Sequence, residues 1–305
     1  MKVLIIGSEG LLGQKVVEIL KRETNWTIVE VNSKGIFDNG VLEEFDTLSR
    51  KDWKLKISNF KEKPTIFINC AAKTNVDVCE DEKNITWKNN VDIVEIIVEI
   101  CRKLDAKLIQ ISSDYIFNGK NGPYLEESQP NPINYYGKSK LAAENICIKS
   151  GIDFAIIRTM WLYGFSKSGK KDFVCWVLES SKLNKQLKIV DDEFGTPTFI
   201  DDIAIGIMKI IEYNYNGIVN ITGNKVFSRY ELALLIIKKF ELSTNLIPIK
   251  EQELGRKAKR PLNSGLINFK SQYRLGFNTT DFETGLEIVK NLRKKDEKQF
   301  LLRFR

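Results

Sequence analysis

Residues Lys2–Ile6 form a short apolar run that breaks directly into Gly7-Ser8-Glu9-Gly10-Leu11-Leu12-Gly13. Val16, Val17, Ile19 and Leu20 follow at helical spacing. Few folds accept a strand that turns into a helix over three glycines spaced in this way. Gly7 permits a tight turn, Gly10 lets the backbone approach a pyrophosphate, and Gly13 lets the helix pack close to the strand. The helix start, at Leu11 and Leu12, presents free N–H groups and the positive end of the helix dipole, which suit an anion. This placement predicts the first β–turn–α unit of a dinucleotide-binding sheet.

The same alternation continues. Thr27–Val31, Thr65–Cys70, Lys107–Ser112 and Phe154–Arg158 read as strands, and Val91, Val94, Ile97, Val98 and Cys101 make a helical stripe. Short continuous apolar strands between amphipathic helices predict an α/β fold, a Rossmann-type doubly wound parallel sheet covered on both faces. After Arg158 the rhythm changes. Lys167–Lys171 reads as a polar loop, Asp172–Leu183, Asp201–Tyr213 and Arg229–Phe240 as helices, and Leu187–Val190 and Gly217–Thr222 as strands. The expected division is residues 1–158 plus about 197–222 for the nucleotide-binding domain. Residues 159–196 and 223–305 would form a smaller C-terminal α/β substrate domain.

Composition then restricts the chemistry. The 305 residues include no histidine, so triads built on His and His-based zinc or iron sites are excluded. Proton transfer would fall to Tyr, Lys, Asp, Glu or Cys. Five cysteines without a CxxC pair, and an N-terminus without a secretion signal, predict reduced thiols in a cytoplasmic protein. No apolar run reaches the length of a membrane span, so no membrane partner is expected. The net charge of +7 is spread along the chain and suits an anionic small substrate better than nucleic acid.

The end of the second strand bears on cofactor choice. It reads Val31-Asn32-Ser33-Lys34, with no carboxylate at its tip and with Lys34 near a ribose 2′-phosphate. That favours NADP(H) and leaves NAD(H) open. Asp46 and Thr47 lie where a following loop could approach the adenine, although Asp46 also reads as a helix N-cap. The most informative stretch is Tyr135-Tyr136-Gly137-Lys138-Ser139-Lys140. Tyr136 and Lys140 share one helix face. An ammonium beside a phenol stabilises the phenolate, which makes Tyr136 a feasible acid and base at a carbonyl. Ser113, at the carboxyl end of a strand, can bond the same substrate oxygen.

These motifs resemble the extended short-chain dehydrogenases/reductases, and within them the dTDP-4-dehydrorhamnose reductase family. The resemblance runs nearly end to end. Its carriers are the glycine turn, Asn69-Cys70-Ala71-Ala72 with Thr74-Asn75-Val76-Asp77, Ser112-Ser113-Asp114-Tyr115-Ile116-Phe117, and Tyr136–Lys140. Three further carriers lie outside the common sheet: 158–164, 192–198 and Arg260-Pro261-Leu262-Asn263-Ser264.

The resemblance implies reduction of the 4-keto group of a nucleotide-linked 4-keto-6-deoxy sugar. The substrate it points to is dTDP-4-dehydro-L-rhamnose, reduced to dTDP-L-rhamnose for cell-surface polysaccharide. Ser113 would stand in the usual Thr place, Tyr136 would protonate the keto oxygen, and Lys140 would lower the Tyr136 pKa and hold the nicotinamide ribose. Ala71 and Ala72 would lie along the cofactor. Val76, Tyr115 and Trp161 would line the sugar site, and Thr196 and Pro197 would help close it. Several roles stay open. Trp161 also reads as core filler, Arg260 as a diphosphate clamp or a structural ion pair, Asn90 as a functional or a structural residue, and Cys79 as an epimerase thiol or an inert one. Related readings are another nucleotide-sugar reductase, an epimerase–reductase, and a non-catalytic subunit like the methionine adenosyltransferase β-subunit, which resembles the same family. Some family members use magnesium in dimerisation. Nothing in the spacing here demands a metal, and a homodimer is left open.

Overall fold

The computed structural model describes residues 1–38, 40–166, 171–183 and 186–303, with side chains followed as far as Asp296. Most of the polar loop expected at Lys167–Lys171 lies outside the described residues. The first half runs β1 (Lys2–Ile6), α1 (Leu11–Glu23), β2 (Thr27–Asn32), β3 (Gly35–Asp38), β4 (Val41–Glu43), α2 (Arg50–Asn59), β5 (Ile66–Asn69), α3 (Val76–Asp81), α4 (Lys83–Trp87), α5 (Ile93–Leu104), β6 (Lys107–Ser113), α6 (Tyr135–Ile148) and β7 (Phe154–Thr159). The second half runs β8 (Leu162–Tyr163), α7 (Phe173–Leu183), β9 (Gln186–Val190), β10 (Phe194–Gly195), β11 (Thr198–Phe199), α8 (Ile200–Glu212), β12 (Gly217–Asn220), β13 (Phe227–Ser228), α9 (Arg229–Phe240), β14 (Asn245–Ile249), α10 (Phe269–Leu275) and α11 (Phe282–Arg303).

The main sheet has eight strands in the order β12-β7-β6-β5-β1-β2-β3-β4. From β12 to β2 every pairing is parallel. All five residues of β1 are buried, and the period-2 alternation of a strand divides them between two cores. Val3 and Ile5 pack toward α1 and α8, whereas Leu4 and Ile6 pack toward α5 and α6. This is a doubly wound α/β sheet, with the reversal point beside β1, where such folds place ligands. The strand expected at Gly217–Thr222 rejoins the sheet next to β7.

Two local features depart from the simple reading. After β2 the chain forms an antiparallel β3–β4 hairpin at the sheet edge instead of crossing over through a helix. Its outer strand is short and fully exposed, so it carries no hydrophobic periodicity to announce it. At Lys88–Asp92, just before α5, the helix widens into one π turn. Such turns recur at functional sites, and this one turns Asn90 inward, leaving it 2% exposed.

A third core lies beyond the sheet. It is built from Val174, Val177 and Leu178 of α7, Leu187 and Ile189 of β9, and Leu232, Ala233 and Ile236 of α9. β9 pairs with β14 in a separate two-stranded parallel sheet. Among the described residues no helix is long and apolar enough to cross a membrane.

One buried ion pair fastens the sheet to α6. Arg158 of β7 forks onto both carboxylate oxygens of Glu144 at 3.0 and 2.8 Å, and its third nitrogen bonds the Glu126 carbonyl at 2.8 Å. Both side chains are essentially sealed from solvent. Replacing Arg158 by Met leaves the Glu144 carboxylate unpaired in the interior, which costs about 3–5 kcal/mol. Urea unfolding should show that loss, and the double variant Arg158→Met/Glu144→Gln should recover part of it.

Candidate active site

The glycine turn forms as its spacing requires. Gly7 adopts φ +80°, in the left-handed region that glycine occupies without strain. A Cβ on Gly13 would run into the Gly7 carbonyl oxygen, so the helix can pack here only without a side chain. Gly10 caps α1 with no side-chain hydrogen bond, so the first-turn amides keep their donors. The side chains of Leu11 and Leu12 turn into the core beside α8, so any contact they make with a ligand is through backbone. Gly7, Gly10, Asn32, Ser33, Lys34, Thr47, Ala71 and Ala72 line a cavity of about 790 Å³. The space in front of free helix amides, with no Cβ to fill it, fits a dinucleotide.

Sequence reading missed Glu9 on this wall. Its carboxylate accepts a hydrogen bond from the Ser33 hydroxyl at 2.8 Å and pairs with Lys34 at 3.6 Å. The two side chains expected to receive a 2′-phosphate are therefore held by an acid from the glycine turn. Asp46 is a correction. It is absent from the cavity wall, and its carboxylate accepts the Leu48 N–H at 2.9 Å, while Ser49 caps α2. The local hydrogen bond engages this carboxylate, and Ser49 rather than Asp46 caps α2.

A second cavity, of about 730 Å³, is lined by Val76, Tyr115, Trp161 and Arg260, which the fold thus brings together. Its wall also carries Glu193, Arg229 and Arg256, which the sequence did not single out. Arg229 lies 3.7 Å over the Trp161 ring and 4.9 Å from that of Phe173, and pairs with Glu193 at 3.5 Å. Trp161 has φ +45°, a strained setting for a bulky residue that presents its ring to this cavity. Arg260 forks onto Asp77 at 2.6 and 3.3 Å, so it forms a structural ion pair while lying on the cavity wall.

Thr196 and Pro197 are a second correction. Both are buried behind the cavity rather than at its mouth. The Thr196 hydroxyl meets that of Thr222 at 2.6 Å and accepts the Leu266 N–H at 3.2 Å. Its polar bonds thus tie the end of β12 to the C-terminal loop. Gly195 explains the close fit: a Cβ there would strike the Met160 side chain and crowd the Trp161 ring. The segment backs Trp161 and does not close the pocket.

Ser113, Tyr136 and Lys140 come together between the two cavities, all three buried. The Tyr136 ring is edge-on to that of Tyr115 at 5.5 Å, and Tyr115 lines the second cavity. Lys140 faces Cys70, on the first cavity's wall. Asn134 starts α6 by accepting the Gly137 N–H at 2.8 Å, and a Cβ on Gly137 would collide with the Tyr115 carbonyl oxygen. That absence of a side chain lets α6 approach β6 closely enough for Tyr136 and Ser113 to meet.

Electrostatics in the site differ from the simple expectation. Burial pushes the Tyr136 phenol above its usual range, with the neighbouring Ser113 side chain acting against it. Lys140 does not lower it in this arrangement, because its ammonium donates to the Ile111 carbonyl at 2.6 Å. Burial brings Lys140 itself down to about 8, opposed by Glu144. Cys79 is buried and its thiol is pushed up, as suits an inert thiol. Among the described residues no cluster of three or more Asp, Glu or Cys side chains is arranged to hold a metal ion.

Asn90 resolves as a tether. Its side chain accepts the Lys73 N–H at 2.7 Å, donates to the Lys73 carbonyl at 3.1 Å, and donates to the Ser139 hydroxyl at 2.9 Å. It thereby holds segment 70–77, which borders both cavities, against α6.

A glycine-turn Rossmann sheet with Ser, Tyr and Lys gathered at its carboxyl edge defines an extended short-chain dehydrogenase/reductase, an oxidoreductase class that works with a nicotinamide dinucleotide. Comparison with known proteins places the chain within that class. A family model described as the RmlD substrate binding domain matches residues 1–293, and the chain belongs to that family. It is 30% identical over 267 residues to the spore coat polysaccharide biosynthesis protein SpsK of Bacillus subtilis, covering 87% of this chain and 88% of that one. It is 28% identical over 298 residues to the methionine adenosyltransferase 2 subunit beta of Xenopus laevis, covering 92% and 86%. Among solved structures, the dTDP-4-dehydrorhamnose reductase of Bacillus anthracis in complex with NADP superposes with a TM-score of 0.83 at 28% identity, covering 94% and 98%.

Asn90→Ala removes three hydrogen bonds and leaves the Lys73 N–H without its acceptor, while the Lys73 carbonyl keeps the Cys79 thiol and Ser139 keeps the Tyr136 carbonyl, so the cost should be about 1–3 kcal/mol. Thermal unfolding checks the loss, and amide exchange at Lys73 should accelerate more than exchange in β1.

Proposed function

We propose that the chain reduces the 4-keto group of a nucleotide-linked 4-keto-6-deoxy sugar, with dTDP-4-dehydro-L-rhamnose as substrate and dTDP-L-rhamnose as product. The observation that carries this reading is the complete Ser113–Tyr136–Lys140 set between a glycine-cradled cavity and a cationic, aromatic one. A purely regulatory relative has no need for all three. The solved relative named as a dTDP-4-dehydrorhamnose reductase, with NADP bound, supports the same choice.

In this reading residues 1–158 and about 197–222 hold the cofactor, and 159–196 with 223–305 hold the sugar nucleotide. The α1 amides with Gly7 and Gly10 receive the pyrophosphate, and Ala71 and Ala72 lie along the ribose. When bound, the reduced nicotinamide supplies the hydride. Tyr136 gives its phenolic proton to the keto oxygen as negative charge develops there. A buried phenol holds its proton firmly until that moment, which suits an acid. Lys140, when its ammonium turns from the Ile111 carbonyl toward the cofactor ribose, stabilises the phenolate left behind. In the second cavity Val76, Tyr115 and Trp161 border the sugar, and Arg229, Arg256 and Arg260 supply the positive potential for the diphosphate.

Tyr136→Phe keeps the ring and removes the proton. It should lower turnover of dTDP-4-dehydrorhamnose by about 10²–10⁴-fold while NADPH binding, followed by fluorescence titration, stays unchanged. Full turnover in that variant would overturn the mechanism.

NADP(H) remains the favoured cofactor through Ser33 and Lys34, and Glu9 opposes it. Seating a 2′-phosphate requires the Glu9 carboxylate to give up both partners, whereas a 2′-OH can bond to it directly. Glu9→Gln should therefore tighten NADPH relative to NADH by about three- to tenfold, modestly because Lys34 is exposed. Titration of the two cofactors against both proteins measures the ratio.

A further inference from the structure

Asp114 is a buried carboxyl group that no step above uses. It is 1% exposed, directly after β6, between Ser113 and the C-terminal loop. The Ser113 hydroxyl donates to its Oδ1 at 2.9 Å and the Ser264 hydroxyl donates to its Oδ2 at 2.6 Å. Among the described residues no cation hydrogen-bonds it. The charged and titratable groups that face it are Glu193, which opposes its ionisation, Arg229 of α9, which favours it, and the phenols of Tyr115 and Tyr136. Burial outweighs the two hydroxyl donors and holds the carboxyl up at about 7.

A serine hydroxyl has one proton to donate. While Asp114 is ionised, Ser113 spends that proton on Asp114 and turns only lone pairs toward Tyr136 and a bound carbonyl. Once Asp114 is protonated, the carboxyl can donate to the Ser113 oxygen, and the Ser113 proton is free to point at the reacting oxygen. Ketone reduction needs a donor there, because negative charge grows on that oxygen. We infer that Asp114 is a positioning residue that sets the direction of the Ser113 hydrogen bond, and that its protonated form is the one competent for reduction. The inference rests on the reductase reading. Ser264 takes part as well, because its donated hydrogen bond favours the ionised form, so the C-terminal loop biases the setting.

The test is the pH profile of kcat/KM with dTDP-4-dehydrorhamnose and NADPH. In the wild-type protein it should fall about tenfold per pH unit above roughly 7. Asp114→Asn offers an amide N–H to Ser113 and a carbonyl to Ser264, imitating the protonated carboxyl. Its profile should stay flat until Lys140 titrates, about one unit higher. Ser264→Ala removes the donor that favours ionisation and should move the wild-type midpoint up by about one unit. Infrared spectra of the protein without substrate give an independent readout: a protonated-carboxyl C=O band lost between about pH 6 and 8.5 in the wild type, and missing in Asp114→Asn. An unchanged midpoint in Asp114→Asn, or no such band in the wild type, overturns the inference while leaving the reductase reading intact. A wild-type protein with no reductase activity at any pH overturns that reading and this inference with it. If Asp114→Asn does not fold, the Ser264→Ala shift and the infrared band decide.

Discussion

The Arg158–Glu144 fork is the fixed point on which the site depends. It joins the carboxyl end of β7 to α6 one turn beyond Lys140, and through the Glu126 carbonyl it reaches the loop that precedes α6. The Glu126 carboxylate in turn accepts the Asn220 N–H of β12 at 2.8 Å. The guanidinium thus ties β7 to one helix and one loop, and the same loop's Glu126 side chain holds β12. A buried ion pair is not in general a source of net stability. Its value here is geometric: it holds the depth of α6 against the sheet, and α6 carries both Tyr136 and Lys140.

From that point the two cavities acquire their relation. Segment 70–77 contributes Ala71 and Ala72 to one wall and Val76 to the other. Asn90 pins that segment to Ser139, on the same helix as Tyr136 and Lys140. The spacing of the two cavities is thus held in part by hydrogen bonds among neutral side chains and backbone, and in part by the Asp77–Arg260 ion pair on the same segment.

Much of this was legible in the sequence because it rests on local periodicity. The strand–glycine–helix opening, the i, i+4 pair Tyr136 and Lys140, and Ser113 at a strand end each follow from spacing. What escaped depends on contacts between distant segments. Glu9 looks like an ordinary turn residue until the fold brings Ser33 and Lys34 to it. Thr196 and Pro197 read as a segment that closes the pocket, yet both are buried and the Thr196 hydroxyl is satisfied by Thr222 and Leu266. Arg229 opens a helix and gives no hint that Trp161 and Phe173 will enclose it. The β3–β4 hairpin, exposed on its outer strand, has no buried face to impose a pattern. The downward shift expected for Tyr136 assumed an ammonium free to face it, and burial together with the Ile111 carbonyl decided otherwise.

The π turn at Lys88–Asp92 has a consequence for how such a site can change over generations. A regular helix advances about 100° per residue, so the one extra residue in this turn points Asn90 inward while the apolar stripe of α5 stays on the sheet. Deleting a single codon there would restore a regular helix of nearly identical composition and swing the asparagine away from Lys73. Alignments that score residue identity would register almost nothing, although the tether would be gone. In this stretch the determinant of the site is chain length, and a gap of one is a larger event than most substitutions.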